Sequence, residues 1–271
     1  MRNQYFVIDS HCHIYPDRLA DKASQNISDF YDGIPHIPGS VSELLHQMEG
    51  QGIDRSVVNS AAMSAHQVSG INRFIAETVS DYSDKFFGLG TLHPDMSSNA
   101  LASEISFLKE HGLKGIKIHP DMLGISVDDQ SLSPIYSACG EADLVVLLHT
   151  GDRRYDYSNP NRMETVLASN PNTTFVGGHF SGRDFYLDAS EKLSSFGNLY
   201  CDCSSSFLWL TVEEALQCIR NFGTDKVMFG TDFPICKPGF DLDFFFRLPL
   251  SDHEREQILS ENAIRVFGLD V

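Results

Sequence analysis

The chain has 271 residues, 42% hydrophobic and 21% charged, an ordinary make-up for a soluble globular protein at the upper size of one domain. A formal net charge of −17 argues against nucleic acid and anionic membranes as partners, because both require a basic surface. No apolar stretch is long enough to span a bilayer, no secretory signal opens the sequence, and six cysteines without framework spacing read as reduced thiols of a cytoplasmic protein.

A short buried strand comes first. Phe6, Val7 and Ile8 lead into Asp9-Ser10-His11-Cys12-His13, and Pro16 closes the segment. Alternation puts His11 and His13 on one face, with Cys12 on the other, the two imidazoles being roughly 7 Å apart along the strand. Such a pair can converge on an ion if a third group meets it; otherwise it makes surface hydrogen bonds. From Tyr15 to Ser40 runs a long segment rich in Asp, Ser, Pro and Gly, read as a loop. With Tyr31 and His36 it is either a lid over a site or passive surface.

Strands and helices then alternate. A helix from Ser40 or Ser42 ends at Gly50 and Gly52, Ser56 to Ala61 is a second strand, and Ile71, Phe74, Ile75 and Val79 mark a second helix. Phe86 to Leu92 is a strand, followed by a helix carrying Leu101, Ile105 and Leu108 to Gly112. Leu113 to Pro120 is strand four and Ile135 to Ala142 its helix. Leu144 to His149, strand five, is apolar until its last residue, as expected of a parallel strand covered on both sides. Met163 to Ala168 is helical, Thr174 to His179 is strand six, and a helical segment lies around Glu191 to Phe196. Leu199 to Cys203 is strand seven, where Cys201 and Cys203 share a face and read as buried small hydrophobes rather than soft metal ligands. Val212 to Phe222 is a helix, Val227 to Asp232 strand eight, and a last helix runs from about Asp252 to Phe267. Phe240, Phe244, Phe245, Phe246 and Leu248 form an aromatic cluster in a loop, favouring packing or an oligomer surface, such as that of a homodimer, over a substrate pocket.

Eight strand–helix units in this length, with no composition break, predict a single-domain (β/α)8 barrel over residues 1–271. Barrel enzymes place their sites at the C-terminal ends of the strands. Here those ends carry His11 and His13, His119, His149, His179 and Asp232, although histidine is only 11 of 271 residues. Chance placement with structural hydrogen bonds can explain one or two of these, not the set. Imidazole and carboxylate together suit zinc, iron or manganese. Such an ion lowers the pKa of bound water to about 7, and Asp232, the one acid among the strand ends read in this way, is the natural base beside it.

The ordered motifs resemble the amidohydrolase superfamily: Asp9 to His13, Lys117-Ile118-His119-Pro120, Leu148 to Gly151, Gly178-His179, Phe229 to Pro234 and the closing Glu261 to Gly268. More narrowly they are similar to the branch that includes aminocarboxymuconate-semialdehyde decarboxylase, related decarboxylases and some lactonases. The resemblance implies that His11, His13, His149 and Asp232 ligate one metal ion per chain. It also implies that His179 hydrogen-bonds the metal-bound water or the substrate oxygen. Binuclear relatives carry a carboxylated lysine on strand four, so Lys117 is a candidate second-metal ligand, set against a buried lysine paired deeper in the barrel. His119 would then contact substrate. Asp9 either orients an imidazole or is a polar residue at the lower end of the barrel.

Arg153, Arg154, Arg183 and Lys237 follow strand ends on an acidic chain, which suggests an anionic substrate with Arg153 and Arg154 as its contacts; pairing with Asp152, Asp156 and Asp184 is the competing use. Three functions follow. The first is a hydrolase in which metal-bound hydroxide attacks an amide, lactone or similar carbonyl of a small carboxylate-bearing metabolite. The second is a metal-dependent non-oxidative decarboxylase of an unsaturated or aromatic acid. The third is a non-catalytic barrel used for binding or assembly. The intact ligand set speaks against the third, and the breadth of the superfamily favours the first.

Overall fold

A computed structural model describes residues 4–34 and 36–271. Eight parallel strands alternate with helices among these residues: β1 (Ile8–His13), β2 (Arg55–Asn59), β3 (Phe86–Gly88), β4 (Gly115–Ile118), β5 (Val145–Leu148), β6 (Phe175–Gly177), β7 (Leu199–Asp202) and β8 (Val227–Met228). Neighbours pair in chain order from β1 to β3 and from β4 to β8. Two seams close the ring. Gly90 N donates to Gly115 O at 2.9 Å and Lys117 N to Gly90 O at 2.8 Å, joining β3 to β4. Ser10 N donates to Phe229 O at 2.9 Å and Asp232 N to His11 O at 2.9 Å, joining β1 to the end of β8. The result is the (β/α)8 barrel that the alternation predicts.

Strand register fixes what faces inward. Lys117 lies opposite Leu147, which lies opposite Val176, and parallel neighbours in register share a face. The apolar set of Ile8, Val57, Phe87, Leu147, Val176 and Met228 packs together, with Ala263 and Phe267 against it. Above this apolar base the strand ends turn polar. On β1 the pairing shifts register between Asp9 and Cys12, the kind of local irregularity that re-aims side chains beside a site.

The segment read as a long loop after β1 is largely a helix, α1 (Asp17–Phe30). Its buried positions are Ala20, Ser24 and Ser28, a stripe of small residues at four-residue spacing rather than an apolar one. That stripe lets the helix lie close on the barrel rim, where Ser24 Oγ accepts from Gly39 N at 2.9 Å and Ser28 Oγ donates to Ile34 O at 2.6 Å. Further helices follow: α2 (Val41–Gln51), α3 (Ala65–Asp81), α4 (Ser98–Glu110), α5 (Pro120–Leu123), α6 (Ser133–Glu141), α7 (Pro160–Ser169), α8 (Tyr186–Leu193) and α9 (Val212–Phe222).

The aromatic cluster read as a loop is also helical, α10 (Pro238–Phe245), started by Pro238 at its first position. Phe244, Phe245 and Leu248 are buried, and Phe244 stacks on Phe207 with centroids 4.4 Å apart, so the cluster is mostly packing; Phe240 faces solvent. The last predicted helix runs without a break over its expected length, as α11 (Asp252–Glu256), a π turn at Gln257–Glu261, and α12 (Asn262–Phe267). The wider turn leaves the Ile258 carbonyl to accept Phe229 N at 2.8 Å, tying it to the end of β8. All six cysteines are free and buried, and burial holds the Cys201 and Cys203 thiols well above the ordinary range, as expected of core residues. No described helix is long and apolar enough to cross a membrane.

Asp241 on α10 is fully buried, and neither carboxylate oxygen has a hydrogen-bond partner among the described residues. Burial, followed by the nearby Asp9 and Asp232 charges, raises its pKa well above 3.8, so folding favours the neutral acid. A pKa higher in the folded than in the unfolded chain contributes stability below the unfolded value, and that contribution is lost as pH climbs through the folded one. Urea midpoints should therefore fall from mildly acidic to alkaline pH, and Asp241→Asn should flatten that slope. An unchanged slope in the variant would remove Asp241 as its source.

Candidate metal centre and active site

His11 and His13 project from β1 and meet Asp232, which follows β8. His11 Nε2 and His13 Nε2 lie 3.2 Å apart, and Asp232 Oδ1 is 3.7 Å and 3.3 Å from them respectively. Asp232 sits at φ 61°, a left-handed conformation uncommon outside glycine, held by the bond from its N–H to His11 O. Burial alone would raise the Asp232 carboxyl, but the His13 contact and the surrounding imidazoles hold it far below the usual carboxylate range.

His11 is aimed from behind by a residue that sequence reading passed over. His11 Nδ1 donates to Asp202 Oδ2 at 2.9 Å, leaving the Nε2 lone pair directed at the cluster. The other Asp202 oxygen accepts from His179 N at 3.1 Å, from Ser204 N at 3.0 Å and from Ser204 Oγ. Asp202 is the last residue of β7, so Asp232 is not the one acid at the strand ends; position was the signal that could have found it. Asp9 takes neither role foreseen for it. Its oxygens accept from His11 N at 3.2 Å, Thr231 N at 3.0 Å and Thr231 Oγ1 at 2.6 Å, pinning the two strand ends that carry the ligands.

A second row of imidazoles lies beside the first, and its hydrogen bonds have one consistent direction. Met122 N donates to His119 Nδ1 at 3.2 Å, so neutral His119 carries its proton on Nε2, 2.9 Å from Tyr31 Oη. Tyr31 O–H can then donate to His149 Nε2 at 3.1 Å, and His149 Nδ1 to His179 Nε2 at 3.0 Å. His179 Nδ1 donates to Ser204 O at 2.8 Å and ends the row. Burial first, and neighbouring positive charge next, keeps His119 and His149 well below the ordinary imidazole range; His179 falls to about 4, mainly through burial. Each imidazole of the row is therefore neutral at neutral pH, consistent with that direction of hydrogen bonding. The His149 and His119 rings stack 4.0 Å apart, and the His179 ring lies 5.4 Å from that of His11.

The predicted site residues thus gather at one rim, in two groups. His11, His13 and Asp232 have ligand atoms within 4.8 Å of one another, and so do His119, Asp121 and His149. His149 is in the second group, one ring removed from His11 through His179. Two imidazole nitrogens and an ionised carboxylate oxygen converging on one point are the donor set a divalent cation takes. The residues fit a metal. Lys117 Nζ stands 2.8 Å from His11 Nε2, at the cluster rather than in an ion pair lower in the barrel, and burial brings its pKa down to about 8. Asp121, absent from the sequence reading, has one buried oxygen without a partner among the described residues.

A cavity of about 560 Å³ reaches His13, His119, His149 and Asp232 at its inner end and runs out between α1 and α3. Arg153 and Arg154 do not line it. Arg153 is exposed and bonds Asp184 at 3.0 Å, and Arg154 bonds Asp152 at 2.7 Å while covering the Phe30 and Tyr31 rings. Arg183 is closer to the chemistry: its guanidinium lies 4.0 Å over the Tyr31 ring, in a small recess shared with His149 and Asp232. His36 is half-buried and lines neither space, and Lys237 is exposed just before α10.

A family model described as amidohydrolase matches residues 8–269. A 2-amino-3-carboxymuconate-6-semialdehyde decarboxylase of Dictyostelium discoideum is 27% identical over 238 residues, covering 74% of this chain and 66% of its own length. The chain therefore spans about two thirds of that relative. Among solved structures, 5-carboxyvanillate decarboxylase LigW from Sphingomonas paucimobilis superposes with a TM-score of 0.78 at 16% identity, over 98% of this chain and 99% of that one. The 5-carboxyvanillate decarboxylase of Novosphingobium aromaticivorans, complexed with manganese and 4-hydroxy-3-methoxy-5-nitrobenzoic acid, gives 0.74 at 16%, over 98% and 97%.

Proposed function

This chain belongs to the amidohydrolase family, it is a metal-dependent enzyme, and from that premise we propose that it decarboxylates, without oxidation, a small unsaturated or aromatic carboxylic acid. What supports this over hydrolysis is that the curated relative and both solved structures reported above, alike over most of the chain, are named decarboxylases. His11, His13 and Asp232 would hold a divalent ion, with His149 completing the set once Tyr31 yields its Nε2; manganese or zinc suits these donors, and Lys117 would join them if a second ion binds. When bound, the ion supplies a Lewis acid beside the substrate oxygens.

The chain's own groups do the rest. Arg183 meets a carboxylate entering the recess beside His149 and Asp232. The bond from the carboxylate carbon to the ring or chain breaks, its electron pair stays on the carbon left behind, and one proton must reach that carbon. Asp232 is ionised and His179 Nε2 accepts from His149, so neither holds that proton at rest; it would come from water in the cavity, with His179 Nε2 and Asp232 the groups placed to pass it. His119 would contact substrate from the opposite side.

The test is a screen of protein reconstituted with manganese or zinc against substituted benzoates and unsaturated diacids, with carbon dioxide release and the product followed by NMR. Parallel reactions use lactones and amides. Metal-dependent carbon dioxide release without lactone or amide cleavage is the expected result. Hydrolysis without carbon dioxide release would replace decarboxylation by the hydrolase reading.

A further inference from the structure

We propose that the outer part of the cavity, between α1 and α3, is a second substrate subsite in which Arg18 and Lys22 hold an anionic group remote from the metal cluster. The substrate would then be an elongated acid charged at both ends. This rests on the reading that a carboxylate binds at the cluster.

Charge is the first argument. With 37 acidic residues against 20 lysines and arginines, cations near acids pair with them, as Arg153, Arg154 and Arg162 do with aspartates. Arg18 and Lys22 make no ion pair or side-chain hydrogen bond among the described residues, and both line the cavity. Four positions apart on α1, they stand on one face of that helix. Solvent reaches them, whereas His13, His119 and His149 at the other end of the same cavity are buried, so the two cations mark its mouth.

Shape is the second argument. Beside the cationic row, α1 turns Leu19, Ala23 and Ile27 to the cavity, and α3 opposes them with Ile71 and Phe74. An apolar passage thus separates a cation-binding end from a cationic one. A volume of about 560 Å³ falls within the range that takes drug-sized ligands, roughly 300–1,000 Å³. Gly70 of α3 lines this passage, and a Cβ there would meet nothing within 4 Å, so the space beside it is open.

The experiment is calorimetric binding of benzoate, biphenyl monocarboxylate and biphenyl dicarboxylate to manganese-loaded protein. Two charge-assisted contacts at a solvent-exposed mouth should favour the dicarboxylate over the biphenyl monocarboxylate by about tenfold. In the double variant Arg18→Gln, Lys22→Gln the two biphenyl acids should bind alike. Gly70→Leu, whose Cβ would meet nothing within 4 Å and whose longer side chain would take up the passage, should weaken both biphenyl acids relative to benzoate. A dicarboxylate with no advantage in the unmodified protein, or one whose advantage survives in the double variant, overturns the subsite while benzoate binding leaves the carboxylate reading standing. If none of the three acids binds the loaded protein, the carboxylate reading fails and takes the subsite with it.

Discussion

Asp232→Asn should lower turnover by about 10³-fold and release the metal on dialysis, while leaving the barrel folded. The substitution keeps the shape of the side chain but removes its negative charge, 3.3 Å from His13 Nε2 and 3.7 Å from His11 Nε2. The two imidazoles bring lone pairs and no charge, so the carboxylate is the anionic member of that donor group. It is also one of the two groups placed to move a proton at the substrate. Folding should survive because position 232 has φ 61°, and asparagine is among the few residues that tolerate the left-handed region. Elemental analysis of dialysed protein, circular dichroism and turnover of the acid found in the screen would check the three parts separately. Full metal retention with normal turnover would remove Asp232 from the centre.

The barrel was readable because parallel strands covered on both faces must be apolar until they reach the rim. The run from Val145 to Leu148 followed by His149 states both facts in five residues. The same logic located His119 and His179. Other parts were fainter. Helix α1 has an apolar stripe, Leu19, Ala23 and Ile27 at four-residue spacing, but it faces the cavity. The positions packed on the barrel are the small Ala20, Ser24 and Ser28, and the Asp, Ser, Pro and Gly around them read as loop. Helix α10 is apolar nearly all round, so its composition resembled a cluster rather than an amphipathic element.

Charged partners are harder still, because pairing is decided by folding and not by spacing. Arg153 and Arg154 follow a strand end, as substrate contacts often do, yet each finds an aspartate and neither lines the cavity. Arg18 and Lys22 sit in what reads as loop and face it. Asp202 lies between Cys201 and Cys203, which read as buried small hydrophobes of a strand, so nothing in its immediate neighbours marks it as the residue that fixes the His11 tautomer.

That tautomer is the basis of the second large effect. Asp202→Asn should weaken metal binding by 10- to 100-fold, the cost expected when the hydrogen-bond partner behind a ligating histidine is lost. Asp202 accepts from donors on both sides: His11 Nδ1 on one oxygen, and His179 N, Ser204 N and Ser204 Oγ on the other. An asparagine has one oxygen to offer. Three donors on one side against one on the other should turn its amide nitrogen toward His11. His11 Nδ1 must then accept, its proton moves to Nε2, and that proton points at the position a metal would take. The histidine remains in place with its lone pair on the wrong nitrogen, a fault of the kind that costs about 10⁴ in turnover when the triad aspartate of a serine protease becomes asparagine. Here excess metal can compete the proton away, so saturating manganese should restore most of the turnover in Asp202→Asn and little in Asp232→Asn. Metal titrations of the two variants would separate a misdirected ligand from a missing one. Equal rescue in both would mean that Asp202 supports the fold and not the centre.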